Sequence, residues 1–343
     1  MNSPSKGSTS GTAAPSRPSR RKLIAGMGTA ALVTGIASPA ILRAQGLVPI
    51  KTGTLFGGWA HMGNDALLDL GLDKKHGFQM TVNQTYNVLA TYYADFAKGS
   101  FDIGVGTWDF FSRAYMQGAP MRILGLISEG TQAGFLGRSD GPSSVKDLKG
   151  KTLAAMQASG TFQMAKIFAK TFDDIEFEKD VTIQNAPNPP GTVALVAGNR
   201  ADAALTWEQS LSLGLDMVKG SRVFANLGDY YAQHTKRSMP YFAIAMNQNA
   251  IDRLPKGSTE KLVALFDDLA KWMQGNVDTY AARAAKINVE PRVIKTAIES
   301  GRLKFQMRPT TNPDNRKDII YAAELLAKGG MFPKALDEGI FAA

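Results

Sequence analysis

Short apolar runs alternate with helical patterns along most of this chain, and that alternation is the strongest constraint on its fold. The strand-like run Val48–Leu55 is followed by a glycine-containing loop and then by a helical pattern over 64–75. The run at 101–105 is likewise followed by a loop and by a helical pattern over 107–117. Strand–loop–helix units of about 30 residues are typical of mostly parallel sheets with helices on both faces. The sequence therefore predicts an α/β protein.

A second series of such units begins near residue 134. Its predicted strands span 151–156, 181–185 and 201–205, and its predicted helices span 161–172, 192–198 and 208–214. A late strand at 241–247 follows, and the remainder shows helical periodicity only, which predicts a helical C-terminal extension. Within it, Pro291 fits the first turn of a helix, Asn312-Pro313 is typical of an N-cap followed by a first-turn proline, and one apolar face repeats at Leu262, Leu265, Phe266, Leu269, Trp272 and Met273. We predict two lobes, each a mostly parallel sheet flanked by helices: lobe I from 47–133 and 242–343, and lobe II from 134–241. Since no low-complexity linker separates the lobes, we expect two short hinge strands.

The basic charge of the chain is concentrated at its N-terminus. The formal net charge is +9, but six basic residues and no acidic residue precede residue 46. The rest of the chain has 33 basic and 30 acidic residues. The body of the chain therefore has no electrostatic footprint for nucleic acid. With no cysteine and three histidines, disulfides and cysteine-based metal sites are excluded, and a multi-histidine site is disfavoured. We predict no metal and no cofactor.

Residues 1–45 resemble a twin-arginine export signal. A leader rich in Ser, Thr, Gly and Pro precedes Arg20-Arg21, and a mildly apolar stretch at 23–38 follows the arginines. That stretch contains three glycines and is shorter than the roughly 20 apolar residues that a spanning helix needs. Such a signal predicts export to the periplasm. A basic disordered tail or a membrane anchor is the alternative.

The loops that follow the predicted strands carry the candidate binding residues. In open parallel sheets a ligand binds outside the carboxyl ends of the strands, where helix N-termini present free N–H groups. The loops at these ends are rich in Gly, Asn, Ser, Thr and Trp and nearly free of Lys and Arg. We select twelve candidate ligand-binding residues: Trp59, His61, Asn87, Thr107, Trp108, Asp109, Ser159, Gly160, Thr161, Asn188, Trp207 and Glu208. We predict no catalytic residue.

Ser159, Gly160 and Thr161 open a helix with small, uncharged side chains. Two hydroxyls, a glycine that allows close backbone approach and the free amides of a helix start suit a carboxylate, a sulfonate, a phosphate ester or a polar ring substituent. An ordinary Ser/Thr N-cap is the plainer interpretation.

Three of the four tryptophans and two carboxylates lie at predicted strand ends. Trp59, Trp108 and Trp207 either wall a pocket or plug the ends of their strands. Asp109 and Glu208 either accept hydrogen bonds from an amine or ring N–H of a ligand or cap their own helices.

Three stretches of the chain resemble one protein family. Residues 147–151, Asp-Leu-Lys-Gly-Lys, look like a segment of periplasmic substrate-binding proteins of the nitrate/sulfonate/taurine transporter group, which includes the thiamine-precursor (NMT1/THI5-like) binders. Residues 96–104 resemble that family's stretch ending in Asp-Ile-Gly, and 198–208 resemble its stretch ending in Trp-Glu. The likeness extends from about residue 47 to the C-terminus. The loop at 61–63 and Gln209 depart from the family pattern. Ligand contacts known for the family are therefore least applicable to this chain at these two positions.

This resemblance implies a two-lobed type II periplasmic binding fold and delivery of a solute to an ABC permease in the inner membrane. We accordingly expect a monomeric carrier without enzymatic activity, whose ligand is a small organic solute: a sulfonate, an amino-sulfonate, a pyrimidine or an aromatic acid. The family name also covers a pyrimidine-synthesising enzyme, but that activity is associated with a cysteine-rich motif, which this chain lacks. A periplasmic ligand sensor is the other alternative.

Residues 137–141, Gly-Arg-Ser-Asp-Gly, match the G-x-S-x-G motif of serine hydrolases. That motif requires a strand, a sharp turn and then a helix, whereas Pro142 and a turn follow here. His234 and Asp229 would have to complete a triad with Ser139. We therefore expect Ser139 to be dispensable for function.

Overall fold

The computed structural model describes residues 46–342, so the export signal predicted at 1–45 lies outside the described residues. The strands are β1 (Val48–Leu55), β2 (Phe78–Tyr86), β3 (Ile103–Thr107), β4 (Met121–Glu129), β5 (Ala133–Gly137), β6 (Thr152–Ala155), β7 (Thr182–Asn185), β8 (Ala203–Trp207), β9 (Arg222–Asn226), β10 (Pro240–Asn247) and β11 (Arg308–Pro309). The helices are α1 (Trp59–Asp69), α2 (Leu72–Lys75), α3 (Leu89–Ala97), α4 (Trp108–Met116), α5 (Gly160–Asp173), α6 (Phe177–Asp180), α7 (Pro189–Ala197), α8 (Ser210–Met217), α9 (Leu227–Thr235), α10 (Gln248–Arg253), α11 (Ser258–Gly275), α12 (Val277–Ala282), α13 (Pro291–Glu299) and α14 (Pro313–Lys328).

The strands form two mixed sheets. The first has the order β11-β4-β10-β3-β1-β2, in which β1 is parallel to β2 and β3, whereas β10 runs antiparallel to β3 and β4. The second has the order β7-β6-β8-β5-β9, in which β6 is parallel to β7 and β8, whereas β5 runs antiparallel to β8 and β9. The predicted α/β class with two helix-flanked sheets and a helical C-terminal region is confirmed.

The antiparallel strands β5 and β10 explain why the sheets are mixed rather than mostly parallel. Only the 3-10 turn Gly130–Gln132 separates β4 from β5, and only residues 236–239 separate α9 from β10. The chain passes from the first sheet to the second between β4 and β5, and it returns between α9 and β10. The lobe limits drawn from the sequence, 47–133 with 242–343 and 134–241, remain our proposed division.

Helix α11 covers the first sheet with the apolar face that the sequence predicts. Leu262, Leu265, Leu269 and Met273 recur every three or four residues and are all buried. They belong to a core cluster that also contains Ile244 of β10. In the described residues, 46–342, no helix is both long and apolar enough to span a bilayer.

Helix ends follow the predicted capping residues. Asn312 precedes α14, and its Oδ1 accepts a hydrogen bond from the amide of Asp314 at 2.9 Å. Pro313 and Pro291 occupy first-turn positions of α14 and α13, where a missing N–H costs nothing. Strand β9 and helix α9 were not predicted from the sequence. Every residue of β9 is half-buried, so burial does not alternate along this strand.

Candidate functional site

A cavity of about 460 Å³ lies where strand ends of both sheets meet. The ends of β1 and β3 line it from the first sheet, and the loop after β6 and the end of β8 line it from the second. Open α/β sheets bind ligands at this position. The volume lies within the range of about 300–1,000 Å³ that is typical of sites for small organic molecules.

The structure brings eight of the twelve predicted site residues to this cavity. They are Trp59, Thr107, Asp109, Ser159, Gly160, Thr161, Trp207 and Glu208. His61, Asn87, Trp108 and Asn188 do not line it. The lining also contains residues that the sequence analysis did not select, among them Asn64, Tyr92, Tyr93, Arg113 and Tyr241. Arg113 follows Asp109 by one helical turn on α4, so the i,i+4 spacing could have identified it.

Of the two interpretations given for Trp108, the structure favours the second: Trp108 is a core residue that plugs the end of β3 and does not line the cavity. Its side chain is only 1% exposed. It packs edge to face against Phe332, with the ring centroids 5.7 Å apart. Burial of this large ring stabilises the fold rather than forming the cavity surface.

The other three residues that do not line the cavity lie on α1, in the loop after β2 and before α7. His61 lies in the first turn of α1, with its Nε2 3.8 Å from Oδ2 of Asp65. Asn87 is exposed in the loop after β2. Asn188 is the N-cap of α7, and its Oδ1 accepts a hydrogen bond from the amide of Gly191 at 2.8 Å.

Trp59 and Trp207 are the two tryptophans that line the cavity. The indole Nε1 of Trp59 donates to Oε1 of Gln132 at 2.9 Å, and Tyr280 donates its hydroxyl to the carbonyl of Trp59 at 2.7 Å. Trp59 therefore presents an apolar ring and no free donor. Trp207 is half-buried at the end of β8.

The hydroxyls at the start of α5 are already used by the protein. Ser159 Oγ accepts from the amide of Phe162 at 3.1 Å and donates to the carbonyl of Met156 at 2.8 Å, which makes Ser159 an N-cap. Thr161 Oγ1 lies 2.6 Å from the hydroxyl of Tyr241 and bonds to it. The interpretation of this loop as an ordinary Ser/Thr N-cap therefore accounts for its side chains.

Gly160 lies against the carboxylate of Asp109. A Cβ added at Gly160 would collide with that carboxylate, so only glycine permits this approach. The start of a helix carries a partial positive charge that favours an anion. At the start of α5, the nearby anionic group is the carboxylate of Asp109, which belongs to the protein itself.

Asp109 and Arg113 form an ion pair on α4 within the cavity wall. Arg113 Nη2 lies 3.2 Å from Oδ2 of Asp109, whose side chain is fully buried. Burial raises the pKa of Asp109 above its usual value, and the neighbouring guanidinium of Arg113 opposes part of that rise.

Glu208 is held by the protein on both carboxylate oxygens. Its Oε1 accepts from Nε of Arg302 at 2.6 Å, and its Oε2 accepts from the amide of Ser212 at 3.1 Å. The same guanidinium donates from Nη2 to the hydroxyl of Ser212 at 2.9 Å. Glu208 therefore stabilises the first turn of α8, which is the helix-capping interpretation.

Gln209 joins the two sides of the cavity. This residue departs from the family pattern, and its Nε2 donates to the carbonyl of Gly57 at 2.8 Å. Gly57 lies in the loop after β1 of the first sheet, whereas Gln209 follows β8 of the second.

The residues of the serine-hydrolase motif do not assemble. His234 stacks on Phe172, with centroids 4.5 Å apart, and its Nδ1 bonds to the carbonyl of Tyr230. Asp229 bonds to Asn226. Within residues 46–342, no group of three or more His, Cys, Asp or Glu side chains is arranged to hold a metal ion.

Comparison with solved structures defines the class of fold. The alkanesulfonate-binding protein SsuA of Xanthomonas axonopodis pv. citri, bound to MOPS, superposes with a TM-score of 0.67 at 15% identity, over 87% of this chain and 99% of that one. The periplasmic aliphatic sulphonate binding protein SsuA of Escherichia coli gives 0.69 at 16% identity, over 86% and 92%. A Candida albicans protein with the generic periplasmic binding protein fold gives 0.60 at 13% identity, over 86% and 94%. The chain has a periplasmic binding protein fold.

Sequence comparison gives a family match for part of the chain. Residues 69–232 match the family model described as NMT1/THI5 like. This match confirms the resemblance described above. No curated protein matched the chain by sequence.

Proposed function

We propose that this protein is the periplasmic solute-binding component of an ABC importer of the nitrate/sulfonate/taurine type. In this proposal its two lobes close over a small organic solute, and the closed form is recognised by a permease in the inner membrane. The chain is exported through residues 1–45 and acts as a monomer.

One observation carries the proposal: a cavity of about 460 Å³ is lined by both sheets. A site made by one lobe would bind a ligand without coupling binding to closure. A site that both lobes complete lets the ligand shift an equilibrium between open and closed forms. The bond of Gln209 to Gly57 at the cavity edge is a contact that such closure would make.

The test is a thermal-shift screen of the exported protein against sulfonates, amino-sulfonates, pyrimidines, aromatic acids and their amides. A ligand present at a hundred times its Kd should add about 2.7 kcal/mol to the free energy of unfolding. If no compound class raises the melting temperature, the carrier proposal fails.

A second readout separates a carrier from an enzyme. Each stabilising compound is incubated with the protein and recovered for chromatography. We expect the compound to be recovered unchanged. A new product would assign the cavity to catalysis instead, and the dispensability of Ser139 would be checked with Ser139→Ala.

A further inference from the structure

Two polar groups of the cavity lining, one from each sheet, have no hydrogen-bond partner within residues 46–342. They are the hydroxyl of Thr54 and the indole N–H of Trp207, and neither polar atom is fully buried. Thr54 lies on β1 of the first sheet, whereas Trp207 ends β8 of the second. The bond from Gln209 to Gly57 joins the loops that follow these two strands. Both groups are therefore available to one ligand at the place where the two sheets meet.

Most other polar side chains of the lining are already bonded within the protein. The three tyrosine hydroxyls are each hydrogen-bonded, and the hydroxyl of Thr52 donates to the carbonyl of Gly53 at 3.3 Å. The hydroxyls at the start of α5 and the indole N–H of Trp59 are bonded as described above. Two further atoms of the lining are neither bonded to a described residue nor fully buried: Nη1 of Arg113 and Oδ1 of Asn64.

The carboxylates of the lining are out of reach of a ligand. The side chains of Asp109 and Glu208 are both fully buried. Glu208 uses both of its oxygens within the protein, and the carboxylate of Asp109 packs against Gly160. An ammonium group of a ligand would therefore lose its hydration without gaining a carboxylate partner, which is costly.

The groups that remain for a ligand are mainly hydrogen-bond donors. The indole N–H of Trp207 and the guanidinium of Arg113 can only donate, whereas the hydroxyl of Thr54 can donate or accept. Oδ1 of Asn64 is the acceptor among these four groups. The surrounding surface is apolar and includes the ring of Phe242. This surface suits a planar apolar molecule whose polar group accepts hydrogen bonds.

We infer that the solute carries a hydrogen-bond acceptor and no ammonium group on an apolar planar body, as an aromatic ketone, an N-heteroarene or an aromatic carboxylate does. The acceptor is bound by Nε1 of Trp207, and Oγ1 of Thr54 bonds to the solute from the other sheet. Trp207 and Thr54 are then the residues that determine specificity in this chain. This inference rests on the proposed function, because it describes the ligand of the same cavity.

Four probes with one benzene ring test the inference: acetophenone, benzoate, ethylbenzene and benzylamine. Acetophenone offers an uncharged acceptor, benzoate an anionic acceptor, ethylbenzene no polar group, and protonated benzylamine only donors. Their affinities for the full exported protein are measured by calorimetry at neutral pH. We expect acetophenone or benzoate to bind at least about tenfold more tightly than ethylbenzene, which corresponds to about 1.4 kcal/mol. Benzylamine should bind no more tightly than ethylbenzene. The order of acetophenone and benzoate distinguishes an uncharged acceptor from an anionic one.

Two variants each remove one of the free polar groups. Thr54→Val and Trp207→Phe should lower the affinity of the tighter acceptor probe, relative to that of ethylbenzene, by about two- to tenfold for each lost hydrogen bond. Because the hydroxyl of Thr54 bonds to no described residue, Thr54→Val should leave the melting temperature of the ligand-free protein unchanged. A residue with a merely structural role would show the opposite pattern, a lower melting temperature with an unchanged affinity ratio.

The matched controls carry the same substitutions away from the cavity. Thr182→Val changes an exposed threonine of β7, and Trp272→Phe changes a half-buried tryptophan of α11. Neither residue lines the cavity. Both control variants should bind all four probes as the unaltered protein does.

Each result decides between the two proposals. If neither acceptor probe binds more tightly than ethylbenzene, or if benzylamine binds most tightly, the inference is overturned and the carrier proposal stands. Unchanged affinity ratios in both Thr54→Val and Trp207→Phe also overturn it. If only larger compounds of the wider screen bind, the two variants are measured with those compounds, and unchanged affinities overturn the inference. Failure of every compound in that screen overturns the carrier proposal, and the inference falls with it.

Discussion

Arg302 neutralises Glu208, a carboxylate with a fully buried side chain, across 94 residues of sequence. Its Nε lies 2.6 Å from Oε1 of Glu208, and its own side chain is 14% exposed. Arg302 follows α13 in the helical C-terminal region, whereas Glu208 follows β8 of the second sheet. The carbonyl of Arg302 also accepts a hydrogen bond from the hydroxyl of Thr131 at 2.9 Å. This ion pair therefore links the cavity wall at the end of β8 to the helical C-terminal region.

Loss of Arg302 should be strongly destabilising. Arg302→Gln leaves Glu208 as an uncompensated buried charge, so we expect the free energy of unfolding to fall by about 3–5 kcal/mol in urea denaturation. Arg292→Gln breaks the exposed pair of Arg292 with Asp216 and should cost less than about 1 kcal/mol. Similar small losses in both variants would show that the buried pair contributes no more than a surface one.

Gly160→Ala should disturb the wall of the cavity. The new Cβ would collide with the carboxylate of Asp109, and overpacking of this kind costs about 1–3 kcal/mol. We expect lower stability in denaturation and weaker binding of the first compound found by thermal shift. Gly275→Ala is the control, since a Cβ there meets nothing within 4 Å. A Gly160→Ala protein with unaltered stability and affinity would contradict the close contact between Gly160 and the carboxylate of Asp109.

Trp207 and Trp108 should respond differently to substitution. Trp207→Ala removes a half-buried cavity wall, so we expect at least tenfold weaker binding of a stabilising compound with a smaller loss of stability. Trp108→Ala removes a core ring and should lower the free energy of unfolding by about 3–5 kcal/mol. Calorimetry and denaturation of both variants measure these effects. Unchanged affinity for Trp207→Ala would remove that residue from the site.

Glu176 should contribute stability that depends on pH. Hydrogen bonds from Lys170 and Lys179 lower the pKa of Glu176 from 4.5 to about 2 in the folded protein. Because the folded pKa lies below the unfolded one, the contribution is present above pH 4.5 and is lost as the pH falls toward 2. The group is partly exposed, so added salt should weaken the effect.

Melting temperatures between pH 2 and 6 test this expectation. The difference between the unaltered protein and Glu176→Gln should be greatest above pH 4.5 and should shrink toward pH 2. Glu324→Gln, at an exposed position of α14, is the control and should follow the unaltered protein throughout. A constant difference between the protein and Glu176→Gln across this range would contradict the assignment.

Sequence alone predicted the features that depend on neighbouring residues. The buried face of α11, the cap at Asn312 and the first-turn proline at position 291 all follow from spacing within a few residues. The prediction that the candidate site lies at strand ends is also local, because each candidate loop directly follows its strand in the sequence. These patterns need no knowledge of what packs against them.

Tertiary structure decided which of those residues are available to a ligand. Trp59 bonds to Gln132 across 73 residues, Thr161 to Tyr241 across 80, and Glu208 to Arg302 across 94. Partners so distant in sequence leave no local signal, so the sequence could not show that these groups are already satisfied. Whether a polar side chain is free depends on which remote residue the fold places beside it. The same dependence explains why Trp108 lies in the core and Arg113 lies at the cavity.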